Sequence, residues 1–143
     1  MQLVVVGNGP DGRSTVLERR DLLVAGDGSS EAFDVETLWS TVEHGTELPQ
    51  VQTDDVRDYG VASSEARWLA VSLAGSWQSG MHRTDTIDYD VIIGGSTTLA
   101  LEDGEVALAP GDCIVVRGVL HEWRTGPEGC TMLVTLIGAS TGN

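Results

Sequence analysis

The chain reads as an all-β domain, a sandwich or a barrel. Eighteen glycines are spread among short β-branched runs, turn signals recur at the spacing of hairpin-linked strands, and no long stretch carries a helical period. With 143 residues, 41% hydrophobic and 21% charged, the composition suits one folded domain with a substantial core. We expect residues 1–143 to form that single domain. Residues 1–65 would supply N-terminal strands and a long connection, and residues 66–143 the barrel proper.

The elements follow in order. Residues 2–6, Leu-Val-Val-Val after Gln2, form a first strand, and Asn8-Gly9-Pro10-Asp11-Gly12 is a turn cluster. Residues 14–18 return. Residues 31–40 read as a strand in which Phe33, Val35, Thr37 and Trp39 alternate with polar neighbours in part. Residues 41–64 are polar, a long irregular connection of the kind that folds over one end of a domain, with a short helix within Asp54 to Tyr59. From residue 66 the pattern is densely β: 67–73, then a turn at 75–80 holding Trp77, then 89–93 with 97–101 as its hairpin partner across Gly94-Gly95. Asp103-Gly104 turns the chain into 106–108, and Pro110-Gly111-Asp112 turns it into 113–116. Residues 121–124 and 130–137 complete the set.

Charge narrows the partners. Twenty-two acidic residues against eight basic ones give a formal net charge of −14. Such a surface repels phosphate backbones and anionic lipid heads, so neither nucleic acid nor membrane is an expected partner. No apolar stretch approaches the roughly 20 residues needed to cross a bilayer, and the opening residues lack the basic start of a signal peptide. Cys113 and Cys130 have no CxxC spacing and sit in apolar runs, so free buried thiols in a reducing, cytoplasmic setting are expected. No glycine-rich phosphate loop and no serine nucleophile elbow is present.

Two histidines carry the chemistry. His82 opens the run His-Arg-Thr-Asp-Thr-Ile-Asp-Tyr and His121 closes the run from Cys113 through Arg117-Gly118-Val119-Leu120. Each lies at the edge of a strand-like segment, and a barrel can bring two such edges to one inner surface. Together with Asp88 they would offer two imidazoles and a carboxylate, a set suited to metal binding or to proton transfer. Strand alternation places Asp88 and Asp90 on one face and Tyr89 on the other, so Asp88 and Tyr89 point inward together only if the strand is bulged or ends there.

These segments resemble the two motifs of the cupin superfamily. His82-x-Thr84, three residues, Asp88, six residues and Gly95 keep the spacing of the first motif, and Gly111-Asp112, a strand, Gly118, two residues and His121 that of the second, one residue shorter before Gly118. The resemblance covers residues 75–137 and implies an RmlC-like, conical jelly-roll barrel with an N-terminal β extension. The wording around His82 and His121-Glu122-Trp123 is most similar to small single-domain cupins that accompany polyketide and other natural-product pathways. By position the metal set would be His82, Asp88 and His121, holding iron, zinc or manganese. Thr84 stands where a third imidazole is usual and is a poor ligand, and some small cupins work without a redox metal.

The function expected from this resemblance is acid–base chemistry on a small organic substrate: dehydration, isomerisation or cyclisation. His82 and His121 would move protons, Asp88 would orient an imidazole, and Tyr89 would donate to a developing oxyanion. Thr84, Arg117 and Trp123 would contact substrate. The alternatives are a non-haem iron dioxygenase and a non-catalytic ligand-binding module. A homodimer is expected by the same resemblance. Plainer readings also hold: an exposed loop histidine at His44, a surface ion pair for Arg117, and packing roles for Trp39, Trp68 and Trp77.

Overall fold

The computed structural model of the chain describes residues 1–23, 35–48 and 56–141. Among these residues, nine strands and one short helix follow in the order β1 (Gln2–Asn8), β2 (Ser14–Asp21), α1 (Thr41–His44), β3 (Glu47–Leu48), β4 (Ala66–Leu73), β5 (Thr86–Leu101), β6 (Glu105–Leu108), β7 (Cys113–Arg117), β8 (His121–Gly138) and β9 (Ser140–Thr141). The main sheet runs β2-β1-β7-β5-β8-β4, with β6 hydrogen-bonded to β5. Strand β1 lies parallel to β7, from Leu3 opposite Cys113 to Val6 opposite Val116.

That position explains the apolar run at the N-terminus. Leu3, Val4, Val5 and Val6 are all buried because β1 is covered on both faces. Val4 and Val6 join Ile92, Leu99, Ile114, Val116 and Met132 inside the barrel. Leu3 and Val5 join Val115 and Ile87 in a second cluster on the outer face, with Trp39 and Tyr89 packed against it. The all-β architecture expected from the sequence is the one observed.

The two long strands differ from the expectation. Residues 89–93 and 97–101 are not a hairpin but parts of one strand, β5. Residues 121–124 and 130–137 are likewise both in β8. These strands pair twice, Thr86–Gly95 with Cys130–Gly138 and Thr97–Leu101 with His121–Thr125, with register shifts between Ile92 and Gly94 and between Gly95 and Thr97. Gly95 therefore marks a bulge that bends the strand rather than a turn that reverses it. It has φ of +72°, and a Cβ there would lie 2.0 Å from the carbonyl oxygen of Gly129.

Other differences lie in the first half. The expected strand at 31–40 falls in part outside the described residues, and 35–40 has no strand pairing. Trp39 there packs against the outer cluster. The helix expected within 54–59 is not seen among its described residues, since Val56 forms an isolated parallel bridge to Arg83 and 57–59 are irregular. A helix forms instead at Thr41–His44, where Ser40 Oγ accepts the Val42 amide at 3.1 Å. Both cysteines are free, Cys130 buried and Cys113 half-buried.

Candidate functional site

Alternation through residues 82–92 builds the site. His82, Thr84, Thr86, Asp88, Asp90 and Ile92 are all buried, while the residues between them, Ile87 apart, are more exposed. The polar members of this row should be expensive to bury unless hydrogen-bonded, and most of them have partners.

His82 and His121 meet directly. The His82 amide donates to the His121 carbonyl at 3.0 Å and the His121 amide to the His82 carbonyl at 2.9 Å, an isolated antiparallel bridge. The ring centroids are 4.5 Å apart, tilted by 51°. His82 Nδ1 lies 2.9 Å from the carbonyl oxygen of Gly80, and His121 Nδ1 lies 2.8 Å from that of Val119. A carbonyl only accepts, so each Nδ1 carries a proton, and the neutral His121 ring has an unprotonated Nε2. Burial first, then the neighbouring His82, push the His121 pKa down to about 4, with a smaller lowering from Arg57.

The carboxyl end of the row is pushed the other way. Burial raises Asp88 to about 7 against opposing hydrogen bonds from Thr86 and Thr84. Burial, then the charge of Asp88, raise Asp90 well above its ordinary value. Thr86 Oγ1 lies 2.8 Å from Thr84 Oγ1 and 2.5 Å from Asp88 Oδ1, and Thr84 Oγ1 lies 3.5 Å from Asp88 Oδ2. The two hydroxyl protons fill the two short contacts, one on Asp88 Oδ1 and one between the threonines. Asp90 Oδ1 is buried with no hydrogen-bond partner among the described residues.

These groups open on one cavity of about 110 Å³. His82, His121, Thr84, Asp88 and Asp90 form its polar side. Leu69, Val71 and Leu73 of β4 and Met132, Val134 and Leu136 of β8 form its apolar side. Trp123 and Trp77 also line it, Trp123 edge-on to His121 at 5.8 Å.

Of the residues expected from the sequence, the structure thus brings together His82, His121, Asp88, Thr84 and Trp123. It does not bring Tyr89 or Arg117 to the cavity. Tyr89 points to the other face of β5, as strict alternation requires, and lines a separate groove of about 490 Å³ with Trp39, Trp68 and Val115. Arg117 ends β7 on that outer side, with its guanidinium 5.6 Å from the Trp39 ring. His44 is exposed, as expected, but ends the helix α1 rather than lying in a loop, and its ring stacks on Trp39 at 3.7 Å.

Three further cavity residues carry no role in the sequence reading. Asp90 was legible, since it shares a face with Asp88. Arg57 and Tyr59 were not, because they reach the cavity from an irregular segment with no periodic signal.

The expected metal set does not assemble as one. Among the described residues, no group of three or more His, Cys, Asp and Glu side chains is placed to hold a metal ion. Asp88 is instead engaged by Thr86 and Thr84.

No family model matches the chain. Two proteins of Diaporthe leptostromiformis, Phomopsin biosynthesis cluster protein C' and Phomopsin biosynthesis cluster protein D, are each 48% identical to it over 48 residues, 33% of this chain. The match spans 25% of the length of those curated relatives. Similar solved structures include a cupin-2 domain protein from Shewanella frigidimarina, 20% identical over 59% of this chain and 72% of that one, TM-score 0.44. An RmlC-like cupin with a double-stranded β-helix fold from Methanocaldococcus jannaschii is 18% identical over 55% and 75%, TM-score 0.47. The DMSP lyase DddQ from Ruegeria pomeroyi is 22% identical over 58% and 44%, TM-score 0.49. At these identities and TM-scores none of these likenesses assigns the chain to a family, and the all-β architecture rests on the strands of the chain itself.

Proposed function

We propose that the chain is a small-molecule enzyme of natural-product biosynthesis that performs acid–base chemistry: dehydration, isomerisation or cyclisation of an organic intermediate. The observation that carries this reading is that one cavity is lined both by two imidazoles and by two buried carboxyls. Burial lowers the His121 imidazole and raises the Asp88 and Asp90 carboxyls. Environments that drive titratable groups in opposite directions mark acid and base roles.

In a dehydration, Nε2 of the histidine pair takes a proton from a carbon beside a carbonyl. Its electron pair forms the new double bond, the carbon–oxygen bond to a hydroxyl breaks, and Asp88 gives that oxygen a proton, so water leaves. An isomerisation uses the same two transfers without loss of water. The two rings are too close for both to be charged, so the pair accepts a single proton. The apolar wall of β4 and β8 excludes water and strengthens each polar contact.

The 48-residue likeness to proteins of a phomopsin biosynthesis cluster supports the pathway class. The test is deletion of the gene in its own organism, followed by complementation. The unaltered gene should restore the product. The His82→Ala/His121→Ala double variant should leave an intermediate that is isomeric with the product or heavier by one water. Restoration by that variant, with the protein folded, would favour the ligand-binding reading instead.

A further inference from the structure

The cavity contains one permanent cation. All eight basic residues of the chain are arginines, and Arg57 is the one that lines the cavity. Three other arginines are neutralised on the surface: Arg20 by Glu18 and Glu36, Arg83 by Asp85, and Arg124 by Glu105 and Glu122. Arg57 has no carboxylate within ion-pair distance among the described residues, in a chain with 22 acids.

Arg57 is also held in place. Its amide donates to the Arg83 carbonyl at 2.8 Å, and its guanidinium donates to the Ser79 carbonyl at 2.7 Å. These two anchors flank His82 in sequence. Ser79 is fixed in turn, its amide bonded to the Trp123 carbonyl at 3.0 Å and its hydroxyl accepting the Trp123 amide at 2.9 Å. The guanidinium is thus tethered beside the histidine pair, with donors left over.

We propose that Arg57 is a specificity-determining residue that binds the carboxylate of a monoanionic organic acid, so that the substrate of the proposed acid–base reaction is a small carboxylic acid with a neutral hydroxyl or carbonyl end. This rests on the acid–base reading of the same cavity. A guanidinium offers a carboxylate two parallel donors. Asp88 and Asp90 also line the cavity and offer a second anionic group no cation, so the acid enters in one orientation. The carboxylate stays with Arg57 and the neutral end reaches the protonated carboxyls. The charge of Arg57 acts on His121 and lowers its pKa. A bound carboxylate offsets that charge and makes the imidazole a better base when substrate is present.

The test uses the full chain, with acetate and cinnamate as anionic probes and acetamide and cinnamamide as neutral isosteres. Binding is followed by the ring resonances of His121 and the indole resonance of Trp123. The carboxylates should bind in preference to the amides, and Arg57→Gln should weaken them by on the order of 10- to 100-fold, the loss of a charge-assisted bond. Arg57→Lys should retain part of the affinity. The ring pKa of His121 should rise in Arg57→Gln without ligand, and should rise in the unaltered protein with carboxylate. Absence of any carboxylate preference, or equal binding by Arg57→Gln, overturns the proposal. Carboxylate binding should persist in His82→Ala/His121→Ala, so that loss of turnover there and loss of binding in Arg57→Gln report on separate ideas.

Discussion

His82 and His121 are joined backbone to backbone, each amide on the other's carbonyl, and this places their rings 4.5 Å apart with both Nδ1 atoms turned to carbonyl oxygens. The bridge ties the start of the first motif to the end of the second. It makes the two imidazoles one unit whose proton affinity is shared.

A defined tautomer follows from those bonds. Long-range nitrogen–proton correlation spectra at neutral pH should show a protonated Nδ1 on both rings and an unprotonated Nε2 on His121. His121 should stay neutral until the pH falls toward about 4. Replacing His82 by Ala removes one cause of that lowering, so the His121 pKa should rise. A protonated Nε2 on the neutral His121 ring contradicts the arrangement.

Stability should decline as pH rises from about 4 toward about 7. Asp88, at about 7 in the fold against an ordinary 3.8, keeps a proton there that the unfolded chain has released, and Asp90 is shifted the same way. Their stabilising contribution is full in acid and is lost as pH climbs through the folded values. His121 opposes this: the unfolded chain takes up a proton at about 6.5, the fold only at about 4, so its contribution falls as pH drops through that window. Two carboxyls outweigh one imidazole. Asp88→Asn/Asp90→Asn leaves His121 alone and should reverse the slope, with a gain on the order of a few kcal/mol above neutrality. Urea melts across the window measure both slopes, and a rising slope in the unaltered protein contradicts the burial of the carboxyls.

Gly95→Ala should be severely destabilising. The added Cβ meets the Gly129 carbonyl oxygen at 2.0 Å, and a φ of +72° strains any other residue. A cost on the order of 3 kcal/mol is expected, read as a lower denaturation midpoint with β structure retained in cold solution. Gly104→Ala is the control: φ is also positive, but nothing lies within 4 Å. Its cost should be smaller, and equal costs would argue against the close approach of β5 and β8.

Ser79→Ala should loosen the mouth of the cavity. It removes the acceptor of the Trp123 amide and the donor to the Gly80 carbonyl, the same oxygen that holds His82 Nδ1. A loss on the order of 1–2 kcal/mol is expected from the stranded amide. Faster hydrogen exchange at Trp123 should accompany it, and unchanged exchange would contradict the role assigned to this contact.

Local order was legible in the sequence because β alternation is a property of neighbouring residues. The row from His82 to Ile92 shows which side chains share a face, and that pattern alone places Tyr89 opposite Asp88. The turn glycines and the two motif histidines could be read in the same way. Whether Gly94-Gly95 reverses the chain or bends it could not, since a positive φ serves a hairpin and a bulge equally, and the choice is made by Gly129 on a strand more than thirty residues away. The outward position of Arg117 also depends on distant partners, and Arg57 enters the site through its bonds to Ser79 and Arg83 rather than through any pattern around it. Tertiary structure alone decides the proton balance of the cavity. A carboxyl rises and an imidazole falls only when folding removes water from both, and burial is set by chain segments remote from either residue.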